Sequence, residues 1–362
     1  MAQGAQRLAQ SALRSRDQDS AKGIWRVLQV IFWMVGAFIF MALLFWPSLG
    51  VLLFWNVLIP VAPALLVIAT GFWRNVCPLA TTNLLPRYLG ISKQQLMPRS
   101  QQAWLSLLAV VALYTIVPLR HAVFNQSGLA TAMLLAGCVA AGWLLGRFYD
   151  WKSGWCSSLC PVHPVEKFYG TYPSITFVNA HCAACVNCTV PCPDSTPNIS
   201  PAKTAKAWQH RAAAVLIIGG LPGFIWGWFQ VPDEINAQYS FYHLAGLYAL
   251  PLAGLLMSIV LYLAMRKLIR PGDDKKLTAV FAAAAVSTYY WFRIPALFGF
   301  GQFNKDGLLI DLTAYLQAPA ILAFKLATVS FFFWWLVWKK QPAQSWTSRP
   351  VFAKLKALSS GK

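Results

Sequence analysis

The stretch VLQVIFWMVGAFIFMALLFWPSLGVLLFWNVLIPVAPALLVIATGFW, Val27 to Trp73, runs for 47 residues without an Asp, Glu, Lys or Arg. Its one interruption is the turn-forming Pro47-Ser48-Leu49-Gly50. A helix that crosses the roughly 30 Å hydrocarbon core of a bilayer needs about 20 apolar residues, so two antiparallel spans fit here. Working outward, charge-free runs recur at 100–119, 121–146, 212–232 and 235–265, which makes spans three to six. The stretches 277–300 and 318–338 carry one cation each, Arg293 and Lys325, and read as spans seven and eight. The expected fold is an all-α integral membrane protein of eight helices. Composition agrees: 57% of the 362 residues are hydrophobic and 11% charged, where soluble domains carry about a quarter charged. A soluble cytosolic enzyme is excluded. Seventeen Trp fit the aromatic belts that form at both headgroup levels.

A net charge of +19 would point to a nucleic-acid partner in a soluble protein, but here the distribution of the charge decides. Lys and Arg number five in 1–26, four in 74–102, six in 147–211, five in 266–276 and six in 339–362. The alternate connections are nearly free of them: Arg120 is the one cation between spans three and four, and Lys305 stands against Asp306 and Asp311. The positive-inside rule then puts both termini in the cytoplasm of a bacterial inner membrane, with the bilayer rather than nucleic acid as partner. The chain divides into a polar cytoplasmic tail at 1–24, four spans at 25–149, a hydrophilic cytoplasmic segment at 150–210, four spans at 211–338 and a basic tail at 339–362. Residues 1–23 have no short apolar core, so a cleaved signal peptide is not expected.

Six of the eight Cys lie in 150–210. In a reducing cytoplasm, metal binding is a better use for them than disulfides. Cys182, Cys185, Cys188 and Cys192 with Pro193 spell C-x2-C-x2-C-x3-C-P, the spacing of bacterial ferredoxins. Three thiolates this close can wrap one corner of a [4Fe-4S] cubane. A four-cysteine zinc site is the rival, though such sites usually separate two C-x2-C pairs by a longer loop. In two-cluster ferredoxins the fourth Cys of the run serves the other cluster, so a remote ligand is an alternative to Cys192. Cys156-Ser157-Ser158-Leu159-Cys160-Pro161 offers one, Cys160.

An internal repeat surrounds that second motif. Gly71-Phe72-Trp73-Arg74-Asn75-Val76-Cys77-Pro78-Leu79 aligns without gaps on Gly154-Trp155-Cys156-Ser157-Ser158-Leu159-Cys160-Pro161-Val162, each after a helix hairpin. Trp73 stands in the first copy where the second has Cys156. In these residues the chain resembles the NapH/NosR-type membrane polyferredoxins over roughly 25–195. The resemblance implies a ferredoxin-like Fe-S insert between spans four and five, and electron transfer linked to quinol oxidation or to a respiratory enzyme. The chain departs from that pattern in having one ferredoxin run where two are usual, and in spans five to eight beyond the match.

Ligand counting favours one [4Fe-4S] cluster. Cys77, Cys156, Cys160, Cys182, Cys185, Cys188 and Cys192 make seven cytoplasmic Cys, one short of two cubanes, so a second cluster would need His163, His181 or Asp194. Cys138 reads as a packed residue in span four. At the outer ends of the helices, Arg293 and Lys325 share a depth; they snorkel to the interface, or line a pocket for a quinone head, an anionic lipid or a haem propionate. His121 and His243 also lie near outer ends, as a b-type haem would need, though interfacial hydrogen bonding explains them as well. The glycines of Gly219-Gly220-Leu221-Pro222-Gly223 either kink span five or pack it closely. No Walker loop, nucleophile motif or carboxylate pair is present. The expected function is passage of single electrons between a cytoplasmic-side redox partner and quinone or a respiratory partner subunit. The competing functions are a maturation factor that uses the cluster as reductant, and a transporter or scaffold with a structural metal site.

Overall fold

The computed structural model describes residues 2–150, 152–171, 173, 175–181, 207–233, 241–270, 273–303, 306–339 and 346–348, with backbone alone at 2–22, 152, 153 and 241. The ferredoxin run at 182–193 lies outside the described residues. Helix α1 (Ala2–Phe45) is followed by a hairpin through Pro47 into α2 (Ile59–Val76), then α3 (Arg99–Leu119) and α4 (Gly128–Phe148). The Ser127 hydroxyl starts α4 by accepting from the Ala130 N–H at 3.1 Å. A short helix, α5 (Val162–Tyr169), follows the second C-P loop. The second half contains α6 (Trp208–Val215), a widened turn at Leu216–Gly220, α7 (Leu221–Trp228), α8 (Phe241–Leu268), α9 (Asp274–Leu297) and α10 (Ala318–Phe333).

Seven helices among the described residues are long and apolar enough to cross a membrane, which makes this a multi-pass membrane protein. Large apolar side chains face outward from them, such as Leu256, Met257 and Val260 on α8, where lipid can cover them. The expected seventh span, α9, has 24 residues, about 36 Å at helical rise, but is not among the seven. Its character follows from its place. Ala282, Ala283, Ala285 and Val286 are fully enclosed by other helices, so its surface is selected for close packing and polar contacts rather than for lipid. The Tyr290 hydroxyl of α9 reaches into α2, donating to the Pro60 carbonyl at 2.6 Å and accepting from the Ala64 N–H at 2.9 Å. It occupies the place of one i to i−4 bond, a recognised way of bending a helix.

The first C-P loop is shaped by its proline. Cys77 ends α2 at φ −57, ψ 119, because a residue before proline is pushed out of the helical region. Pro78 then opens a new short helix, Pro78–Asn83, at the position where its missing N–H costs nothing. Far along the chain, Thr347–Ser348 pair in parallel with Phe177–Val178, a two-residue sheet that ties the tail to the segment leading into the ferredoxin run.

Candidate functional site

The two C-P loops, 83 residues apart in sequence, meet. Cys77, Cys138, Cys156 and Cys160 pack in one apolar cluster with Trp155, Ala80 and Leu84. Cys138, expected only as packing inside its own span, thus joins the loop cysteines. Burial pushes the Cys160 thiol well up, and the Glu166 carboxylate and Cys77 add to it. Among the described residues, no group of three or more His, Cys, Asp or Glu side chains is placed to hold a metal ion. Cys182, Cys185, Cys188 and Cys192 lie outside the described residues, as does Asp194.

Beside this cluster, a buried polar knot joins the two repeats. The Glu166 carboxylate accepts from the Trp73 indole N–H at 2.9 Å and forms an ion pair with Arg74. His163 Nδ1 lies 3.1 Å from the same carboxylate and 3.0 Å from the guanidinium. Burial alone would raise the Glu166 carboxyl, but Arg74 and His163 outweigh it and hold it down to about 2. Burial lowers His163 to about 4, which keeps its ring neutral near pH 7. Trp73, the residue that replaces a cysteine in the first repeat, here supplies the donor that locks that repeat onto the second.

The backbone entering the ferredoxin run is anchored on the first loop. His181 is buried, and its Nε2 donates to the Arg74 carbonyl at 3.0 Å. Asn75 holds the same segment from both sides, donating to the Val178 carbonyl at 2.8 Å and accepting from the Ala180 N–H at 3.1 Å. The C-terminal segment closes over this region. Trp346 is fully buried, its indole N–H donates to the Gly170 carbonyl at 2.7 Å, and Lys167 Nζ sits 4.2 Å from its ring. Sequence reading missed Trp346; a single tryptophan within a basic tail was the available signal.

A second constellation lies at the other end of the bundle. The first turns of α3 meet the second C-P loop through Gln102 and Ser106, and Arg120 comes one full helix later, about 30 Å away at helical rise. There Arg120, His121, Asp233, Arg293 and Asp306 border a cleft. Arg293 does not snorkel. It is 2% exposed and donates to the Trp55 carbonyl at 2.8 Å and to Asn56 Oδ1 at 2.6 Å. Both ring nitrogens of His121 are engaged, Nδ1 with Asp233 Oδ1 at 2.6 Å and Nε2 with the Trp228 carbonyl at 3.1 Å, so neither is open to an axial iron. Burial alone would push the Asp233 carboxyl up; the bond from His121 and the neighbouring guanidiniums hold it below the ordinary carboxylate value. Of the residues expected at this end, Arg293 and His121 come together. Lys325 stands apart over the Trp291 ring at 5.1 Å, and His243 does not border the cleft.

Comparison of the chain with protein-family models, with curated proteins and with solved structures finds no match in any of the three.

Proposed function

We propose that this is a membrane-bound iron–sulfur electron-transfer protein of the NapH/NosR type, passing single electrons between a partner on the C-P loop side and quinone, quinol or a respiratory partner subunit. The observation that carries the reading is the run Cys182, Cys185, Cys188, Cys192, Pro193. Its support is the anchored approach: His181 and Asn75 hold the chain just before Cys182 against the end of α2, so the run begins beside a buried, rigid face. Cys182, Cys185 and Cys188 are the first three ligands of one [4Fe-4S] cluster. The apolar packing around Cys156 and Cys160 favours Cys192 over Cys160 as the fourth. A cluster bound there supplies one-electron exchange. The protein residues supply its setting: Arg74 puts a buried guanidinium, already balanced by Glu166, near the start of the run.

In this reading α9 is the seventh of eight spans, and 150–210 is the ferredoxin-like insert. The Lys and Arg asymmetry puts that insert and both termini on the cytoplasmic side of a bacterial inner membrane. About 30 Å of helix separates the loops from the far cleft, so a second carrier, bound or in a partner, is needed for electrons to cross. The test is iron, sulfide and zinc content, with EPR before and after dithionite, on anaerobically purified protein. About four iron per chain and a reduced S = 1/2 signal are expected. Cys185→Ser should lose both, while Cys138→Ser keeps them. Zinc without iron, or equal iron in wild type and Cys185→Ser, would overturn the proposal.

A further inference from the structure

We infer that the cleft at the end of the bundle opposite the C-P loops is a binding site for a singly charged oxyanion, the charge state of a carboxylate or a phosphodiester, bridged by Arg120 and Arg293. The inference stands apart from the electron-transfer reading, because it uses none of the cysteines. Its starting point is an unbalanced pair of buried cations. Arg120 is 3% exposed and Arg293 2%, and both direct Nη2 at one amide oxygen, Asn56 Oδ1, at 3.3 and 2.6 Å. Neither guanidinium forms an ion pair with a carboxylate among the described residues. The Nε of each is buried without a hydrogen-bond partner. Arg120 lies between the rings of Trp55 and Trp228, at 5.5 and 5.3 Å, which softens its desolvation but brings no full negative charge. Buried charges are ordinarily paired, and two like charges sharing one neutral acceptor are not.

The acids among the described residues of the cleft are Asp233 and Asp306. Asp233 accepts from His121 through Oδ1 and from Asn125 through Oδ2, each at 2.6 Å. A carbonyl can only accept, so His121 Nε2 carries a proton toward Trp228, and the short contact of Nδ1 with Asp233 needs another. The His121–Asp233 pair is therefore neutral as a unit. Asp306 accepts from the Asp233 backbone N–H at 2.7 Å and contributes one negative charge. Among the described residues, two guanidiniums against one carboxylate leave one net positive charge, which a monoanion cancels. The walls suit an organic group attached to that anion: Phe229 and Phe292 stack at 5.2 Å along the cleft. Gly307, at φ +70, lets the 306–317 loop pass directly over Arg293, where any side chain would strike the guanidinium.

The oxyanion can come from a soluble carboxylate or from a lipid headgroup, and thermal unfolding of the whole purified protein separates the two. In neutral detergent, sodium acetate is titrated against sodium chloride at constant ionic strength. In parallel, nanodiscs of phosphatidylcholine are compared with and without phosphatidylglycerol. Wild type is expected to gain a saturable few degrees in one of these series. Asn56→Asp, which builds a carboxylate between the two guanidiniums, is expected to lose the response whatever its starting Tm; Arg293→Gln should lose it too if it folds. A response to acetate alone assigns a soluble ligand, and a response to phosphatidylglycerol alone a lipid. Equal behaviour of wild type and Asn56→Asp in both series, or no response of wild type in either, would overturn the inference.

Discussion

Glu166 shows how one buried side chain ties two distant parts of this chain together. Its carboxylate holds Arg74 and Trp73 of the first C-P repeat while sitting on the helix of the second. Removing its charge in Glu166→Gln leaves a buried guanidinium without its counter-ion, for which a loss of about 3–5 kcal/mol is expected in chemical or thermal unfolding. The same knot sets a pH dependence. Glu166 is held at about 2 against an ordinary value of 4.5, so its stabilisation is complete at neutral pH and fades as pH falls from 4.5 toward 2. His163, held at about 4 against 6.5, takes a proton in the unfolded chain before it does so in the fold, so stability also falls as pH drops from 6.5 to 4. Tm measured from pH 7 to 3 should therefore decline in two stages, and Glu166→Gln should lose the lower one. The knot could not be read in the sequence, where Arg74 counted as one loop cation among several. Its partner is 92 residues away, and only packing brings the two together.

At the scale of the helices, glycine decides how closely α7 and α8 approach. A Cβ on Gly223 would collide with the Gly254 carbonyl, and one on Gly227 with the Leu250 carbonyl. One turn earlier, Ser258 of α8 donates to the Gly219 carbonyl. Glycines 219, 223 and 227 recur every four residues, so they form one stripe on a helix face, as small-residue membrane interfaces do. Gly223→Ala should force the two backbones apart and cost about 1–3 kcal/mol in unfolding experiments. Gly246→Ala, on the same helix as Gly254 but with open space around it, should be neutral or stabilising. The sequence left two readings of the Gly219–Gly223 stretch, a kink or close packing. The close packing is observed, with a widened helical turn at Leu216–Gly220 just before it. Local composition carries the permission for each, but the second depends on which helix lies opposite.

For the molecule as a whole, the C-terminal strap links the end of the chain to the candidate cluster face. Trp346 fills a space between α2 and α5, with its carbonyl close against Gly71 and its indole on Gly170. Trp346→Ala is expected to cost about 3–5 kcal/mol locally. Hydrogen exchange should then speed up at 177–181 while the amides of α8 and α9 remain protected; equal exchange at 177–181 in the variant and wild type would refute the strap. The charge-free runs alone determined that this chain crosses a membrane many times, and where the helices lie, because lipid tests each segment by its own length and polarity. The cysteine run likewise sets its candidate chemistry through spacing along the chain. The tertiary structure decided which groups the buried cations meet: Arg74 pairs with Glu166, while among the described residues Arg120 and Arg293 share the neutral Asn56 amide. It also decided that α9 is enclosed by its neighbours rather than turned to lipid. Those outcomes are contacts between residues far apart in sequence, and no local pattern encodes the distance between them.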